Sequence, residues 1–326
     1  MRIGKITENA LKRSVLKQIN TVFKKKTSAA VGTDCAFSEE KRTFSTIVPA
    51  TLQVSDAAYY AVVKAVNGLV SQGVRPDSFT SSVLLPVDAE EGMVKKAVAD
   101  ALEAAEACGV IYAGGHTEVT GSVNRPVITV AATGTVDTDT KEPLFAGKGK
   151  AGQSLVVTKW AGLEGTAMLA REKYVDLTTR YPAPFIDDAK GFKNFLFVGE
   201  EMEIVQSLGA CAVHDLSNGG IFAGLWEMAG RSGTGLRVDL KSIPLRQETV
   251  EICEFFELNP YQLLSGGALL IATDNPEQLV SLLDQKGIPS AIIGQLTDGN
   301  DKVIINADET RFLESPQADE ILKVLG

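Results

Sequence analysis

The chain has 326 residues, 44% of them hydrophobic and only 6% aromatic, with a formal net charge of -9. That supplies an aliphatic core for one large domain or, the preferred reading, two, while the acidic balance argues against a general nucleic-acid or membrane-surface binder. Two histidines and four cysteines without C-x-x-C spacing argue against a zinc site or disulfide framework, and no apolar run is long enough to span a bilayer.

In chain order, residues 8–23 read as an amphipathic helix with Leu11, Val15, Ile19 and Val22 on one face, followed by a basic run, Lys24-Lys25-Lys26, taken as a solvated helix end. Residues 30–37 place Asp34 in a small-residue turn between apolar flanks. The turn is either a plain strand entry or a holder for a phosphate-bound metal. A strand is expected over 46–54, then a helix capped by Ser55 or Asp56 and running to about 72, with Val62, Val63, Val66 and Leu69 as its buried stripe. Gly68 interrupts that helix, where glycine costs about 1 kcal/mol relative to alanine. A strand over 79–85 and a clear helix over 90–108, stopped by Gly109, follow. A short strand over 110–113 leads into the loop Gly114-Gly115-His116-Thr117-Glu118, and residues 125–136 form a long strand.

The Gly-, Pro- and Lys-rich stretch 141–152 marks the domain boundary, giving domains 1–148 and 149–326. Beyond it come a strand over 154–158, a turn at Gly162 and Gly165 entering a short helix, an aperiodic excursion over 176–193 and a helix over 200–208. An apolar segment then ends in His214-Asp215. The turn Ser217-Asn218-Gly219-Gly220 follows, with Asn218 as expected N-cap of a helix bearing Ile221, Leu225 and Met228. Such a glycine turn at a helix start favours an anion. A strand over 235–240, a largely helical 244–256 and a third glycine pair, Gly266-Gly267, lead to a strand over 268–273. A helix over 276–286 and strands over 291–293 and 302–305 complete the pattern. The tail from 309 is polar and expected at the surface. Helices and strands mix without regular βαβ repetition, so the fold class is α+β.

Five motifs in order carry a resemblance over nearly the whole chain: Val31-Gly32-Thr33-Asp34-Cys35-Ala36; Val66-Asn67-Gly68-Leu69 through Gly73-Val74-Arg75-Pro76; Gly114-Gly115-His116-Thr117; Gly152 through Lys159 with Gly162 and Gly165; and His214-Asp215-Leu216-Ser217-Asn218-Gly219-Gly220. The sequence resembles the aminoimidazole ribonucleotide (AIR) synthase superfamily. That group includes thiamine-monophosphate kinase, selenophosphate synthetase and the hydrogenase maturation carbamoyl dehydratase, and the dehydratase branch is the most similar. The resemblance implies an N-terminal mixed-sheet dimerisation domain and a C-terminal α/β-layered domain. It also implies a homodimer, ATP with magnesium near the interface, and activation of an amide, carbamoyl or other oxygen on a small molecule or a protein, with a maturation partner among the expected associates.

Carried over residue by residue, the resemblance places catalytic roles on His116 and Asp215 and metal ligation on Asp34 and Asp215. Cofactor binding falls on Gly32, Asp34, Asn67, Gly114, Gly115, Thr117, Lys159, Asn218, Gly219 and Gly220. The chain departs from the pattern where acids are expected: Gly68 follows the asparagine, and His116 follows the glycine pair. Glu118 and Asp56 are the possible substitutes. No cysteine ends the tail, which excludes the usual carbamoyl chemistry on a tail thiol. His116 reads equally as an acid/base group and as a hydrogen-bonded loop residue. His214 is read as orienting its loop, Cys35 as a small buried residue, and Lys159 as either a phosphate contact or a surface lysine. The competing reading is a non-catalytic nucleotide-binding or scaffold homodimer with a decayed metal site. The scattered thiols and a charged N-terminus lead to the expectation of a cytoplasmic protein.

Overall fold

The computed structural model describes residues 5–23, 28–38, 42–136, 148–209 and 212–326. The Lys24-Lys25-Lys26 run, Cys211 and most of the expected linker lie outside the described residues.

The expected first helix is three pieces, α1 (Glu8–Leu11), a π-helical stretch (Lys12–Leu16) and α2 (Lys17–Phe23), and none of its residues is buried. Val22 is 69% exposed, so the predicted apolar face finds no core in this chain. The first sheet is built from β1 (Ala36–Ser38), β2 (Thr43–Ala50), β3 (Arg75–Leu85), β4 (Ile111–Val119) and β5 (Val127–Thr135), in the order β1-β2-β5-β3-β4. It is mixed: β3 and β4 run parallel across a helical crossover and the remaining pairs are antiparallel. The crossover is α4 (Glu91–Cys108), closed as expected by left-handed Gly109. Helix α3 (Ala57–Val70) lies against α4, β2 and β5, and only Ala57 and Lys64 among its residues escape burial.

The expected loop at 114–118 is instead part of β4, and it sits at the free edge of the sheet. Two glycines normally weaken a strand. Here the parallel ladder to β3, with Gly115 opposite Ser81 and His116 opposite Ser82, holds them in line.

The second sheet contains β6 (Ser154–Thr158), β7 (Ala212–Asp215), β8 (Gly235–Asp239), β9 (Leu269–Thr273), β10 (Ser290–Thr297), β11 (Lys302–Asn306) and β12 (Glu309–Phe312), ordered β12-β11-β8-β10-β6-β9-β7. It too is mixed, with β8 and β11 parallel. Helices α5 (Leu163–Glu172), α6 (Tyr174–Leu177), α7 (Ala183–Lys190), α8 (Gly199–Ser207), α9 (Gly220–Ser232), α10 (Gln247–Phe255), α11 (Pro276–Gln285) and α12 (Leu322–Leu325) surround it. Alternate residues of β6 and β9 point to opposite sides. Val156 and Ile271 join one apolar cluster, while Leu155, Val157, Leu270 and Ala272 join another with Ile221, Leu225 and Met228 of α9. The first cluster also contains Phe44, Leu69, Phe79 and Val130, so the two halves share a core.

Two further expectations change. The excursion at 176–193 is largely helical, because Ile186, Ala189 and Phe192 find a buried face that short, weakly periodic helices do not advertise. The tail is not uniformly exposed: after β12, Asp319, Glu320, Ile321 and Leu325 are buried. Among the described residues no helix is long and apolar enough to cross a membrane.

Candidate functional site

Strand β7 ends in His214 and Asp215, both buried, and the Asp34 turn meets them from the other half of the chain. Helix α3 sets the depth of that turn. A Cβ on Gly68 would stand 3.0 Å from the Asp34 carbonyl oxygen and 3.1 Å from the Thr46 methyl, so the glycine inside the helix permits close packing. His214 Nδ1 lies 2.8 Å from Asp34 Oδ1 and Nε2 lies 3.1 Å from Glu227 Oε2. Both ring nitrogens face carboxylates, which calls for the imidazolium. Burial works against the charged ring, but Asp34 and Glu227 prevail and raise its pKa to about 10. Burial likewise works against the Glu227 carboxylate, yet His214 and then Lys5 hold it down at about 2. Lys5 Nζ reaches Glu227 at 2.9 Å, and Gln72 Nε2 donates to Asp34 Oδ2 at 2.8 Å. A line of paired charges thus runs from the N-terminal segment through α9 and β7 to Asp34. His214 is expected to orient its own loop; its ring contacts run instead to Asp34 and Glu227.

Asp215 is different. Its Oδ1 is buried without a hydrogen-bond partner, and burial together with neighbouring Asp34 raises its pKa well above the usual value. Lys64 on α3 is close enough to oppose that rise. The same amine bonds Asn218 Oδ1 and opposes the upward shifts of Glu164 and Asp319.

The N-cap of α9 is Gly219 rather than Asn218, whose side chain is taken by Lys64. Gly219 and Gly220 are both left-handed, at φ of 84° and 63°, a pair that only glycines adopt without strain. The two glycine amides of the turn are already used: Gly219 N–H donates to Asp319 Oδ2 at 2.5 Å and Gly220 N–H to the Ser217 carbonyl at 3.0 Å. Asp319 also accepts from Leu264 and Ile321. A carboxylate of the tail therefore occupies the anion position at this helix start.

The remaining expected residues lie elsewhere or serve the frame. Asn67 donates to the Leu196 carbonyl at 2.7 Å and accepts from Val198 N–H. Lys159, at φ 53°, is buried and spends its amine on the Phe195 and Phe197 carbonyls and, at 2.5 Å, on Glu201. It is not a surface lysine. Gly32 sits beside α9, and its carbonyl accepts from Arg231 at 3.2 Å. Gly114, Gly115 and Thr117 lie along the exposed edge strand, where His116 pairs with Glu118 at 3.0 Å. Asp56 is committed to Lys96, Arg171 and Lys193. Cys35 is partly buried, and burial, then Asp34, pushes its thiol up to about 12. Sequence reasoning did not single out Lys64, Gln72, Glu164 or Asp319. Gln72 and Glu164 lie inside two of the motifs but between the residues that define them, and Lys64 and Asp319 lie outside all five, although a lysine inside an otherwise apolar helix was a signal for Lys64.

The orphaned Asp215 oxygen beside Asp34 fits a magnesium ion delivered on phosphate, because magnesium prefers oxygen, retains waters and takes only one or two carboxylates at such sites. Among the described residues no group of three or more His, Cys, Asp or Glu side chains is arranged to hold a metal by itself.

Comparison with known proteins agrees with this architecture. The family model described as AIR synthase related protein, N-terminal domain, matches residues 16–136, and that of the C-terminal domain matches residues 150–306. The chain is similar to the carbamoyl dehydratase HypE of Rhodobacter capsulatus, 26% identical over 245 residues, covering 74% of this chain and 69% of that protein. Among solved structures it shares its fold with a HypE–HypF complex, at TM-score 0.74 and 21% identity over 91% of this chain and 99% of the other. It also shares it with the hydrogenase maturation protein HypE bound to ATP, at TM-score 0.72 and 20% identity over 86% of this chain and 87% of the other. With both domain models matched in order, on an α+β fold of two mixed sheets, the chain belongs to the AIR synthase-related family.

Proposed function

We propose that this protein is an ATP-dependent enzyme of the dehydratase-like branch, which activates an amide, carbamoyl or other oxygen on a small molecule or a partner protein. The observation that carries the reading is the convergence of Asp34 from one half and Asp215 from the other, with one carboxylate oxygen buried and unpartnered. A buried polar atom without a partner is costly, and a ligand that completes it recovers that cost.

Within the chain, His214 holds Asp34 in place and Glu227 holds the charge on His214. Asp34 and Asp215 would hold the magnesium carried by ATP. Magnesium there would neutralise charge on the transferring phosphoryl group. Asn218 and the glycine turn line the same junction, and positioning does most of the work in such transfers. His116 remains a candidate acid/base group on the premise of self-association. Among the described residues β4 has no strand beyond it, every residue of β4 but Tyr112 is exposed, and Ile111 and Val119 are 68% and 57% exposed. A homodimer pairing through this edge would cover those side chains and surround His116. The likeness to a HypE that forms a complex with HypF supports a maturation partner as a further associate.

A specific observation favours the second reading, a nucleotide-binding or scaffold homodimer without turnover: the tail carboxylate of Asp319 fills the anion position of the glycine turn. Calorimetric titration with ATP, with and without magnesium, separates the two. The enzyme reading expects magnesium-dependent binding that weakens roughly tenfold or more in Asp215→Asn and Asp34→Asn, the loss of a charged metal ligand being worth at least ~1.4 kcal/mol. Binding without magnesium dependence supports the sensor, and no binding in either condition leaves the scaffold.

A further inference from the structure

We infer that Lys64 is the residue that receives the phosphate chain at the junction of the two halves, a role that rests on the nucleotide-binding reading above. Helix α3 is buried along its length except at Ala57 and Lys64. Lys64 is the one charged residue of this helix. The amine crosses from α3 to Asn218 in the glycine turn. Its charge acts on Asp215, Glu164 and Asp319, which come from β7, α5 and the tail.

Three features single it out as a phosphate donor. The backbone amides of Gly219 and Gly220 are consumed by Asp319 and Ser217, so neither glycine amide is open to an anion. Lys159, the lysine that motif reading placed there, is buried under two carbonyls and Glu201. An ammonium carries three donors, and the structure commits one of Lys64's to Asn218. Asp215 Oδ1, buried without a hydrogen-bond partner, is the oxygen that magnesium would complete beside it. Metal at Asp215 and amine at Lys64 would grip a phosphate chain from two sides, the metal through oxygens and the lysine as a point charge.

The alternative is that Lys64 merely balances the buried acids. The test uses the full chain and two probes, ATP and inorganic triphosphate, titrated with and without magnesium. Lys64→Met should weaken both probes by roughly tenfold or more under either condition, and Lys64→Arg should recover most of that loss. Lys64→Gln, which keeps a donor for Asn218 and removes only the charge, should weaken triphosphate similarly and keeps the test available if Lys64→Met does not fold. Triphosphate binding that depends on Lys64, in a protein with no preference for ATP, keeps the phosphate site and removes the nucleotide reading. Unchanged affinity in folded Lys64→Met, accompanied only by a lower melting temperature, overturns the inference. Absence of triphosphate binding in the wild type overturns it as well.

Discussion

At residue scale, His214 shows how a motif residue acquires a defined state. The sequence places it beside Asp215, but its charge comes from Asp34 and Glu227, which are distant in sequence. Replacing Glu227 by Gln retains a hydrogen-bond acceptor and removes one of the two anions. The His214 pKa of about 10 is then expected to fall by about 1–3 pH units, the usual effect of losing an opposite charge at this distance. The chain has only two histidines, so an NMR titration of the ring resonances reads this directly. A His214 pKa unmoved in Glu227→Gln would show that the pairing with Glu227 does not set the charge. Asp34 and Asp215 were legible as acids in glycine-bounded turns. Glu227 was visible only as part of an amphipathic run, because a carboxylate on a helix face carries no sign of what lies opposite it.

At element scale, β4 is the clearest departure from the sequence reading. Glycines at 114 and 115 signal a turn, and local propensity favours one. The ladder to β3 overrides it, and a Cβ at Gly115 would stand only 1.9 Å from the Ser81 carbonyl oxygen. The glycines serve strand approach rather than a loop. The exposed Ile111 and Val119 on this edge make it the surface on which the proposed dimer depends. Ile111→Glu with Val119→Glu is expected to leave the monomer folded, since neither side chain is buried, and to shift the species in light scattering from dimer to monomer. A dimer that persists would place the interface elsewhere. Helix α4 behaved as read, since its apolar spacing and its glycine stop are local properties. Helix α7 did not, because its few buried positions make sense only against α5 and α10.

At the scale of the whole molecule, Asp56 ties the halves together. Expected as a cap or a substitute metal ligand, it occupies the N-cap position of α3 but makes no side-chain bond to the helix. Instead it accepts from Arg171 at 2.9 Å and from Lys96 and Lys193 at 3.2 Å each. Burial alone would raise its pKa, yet Lys193 and Arg171 outweigh burial and lower it. A folded-state pKa below the unfolded one contributes stability above the unfolded value, and that contribution disappears as pH falls through the folded value. Asp56→Asn should therefore cost about 3 kcal/mol near neutral pH. This is the low end for a broken buried pair, since Lys96 and Arg171 reach solvent. The gap from wild type should narrow once pH falls well below about 4. Urea unfolding at neutral and acid pH measures both, and a gap independent of pH would remove the ionic account.

The sequence by itself determined the α+β class, the five glycine-bounded motifs in their order, the long helices α3 and α4, and the family that both domain models match. These depend on periodicity, caps and short motifs, which are local. Only the tertiary structure decided which charges meet. It brought Lys64 to Asn218, placed Asp319 on the start of α9, closed Lys159 under Phe195 and Phe197, and left one oxygen of Asp215 unpartnered. Those pairings join residues many positions apart, and their energies depend on burial and distance. Neither is encoded in the spacing of residues along the chain.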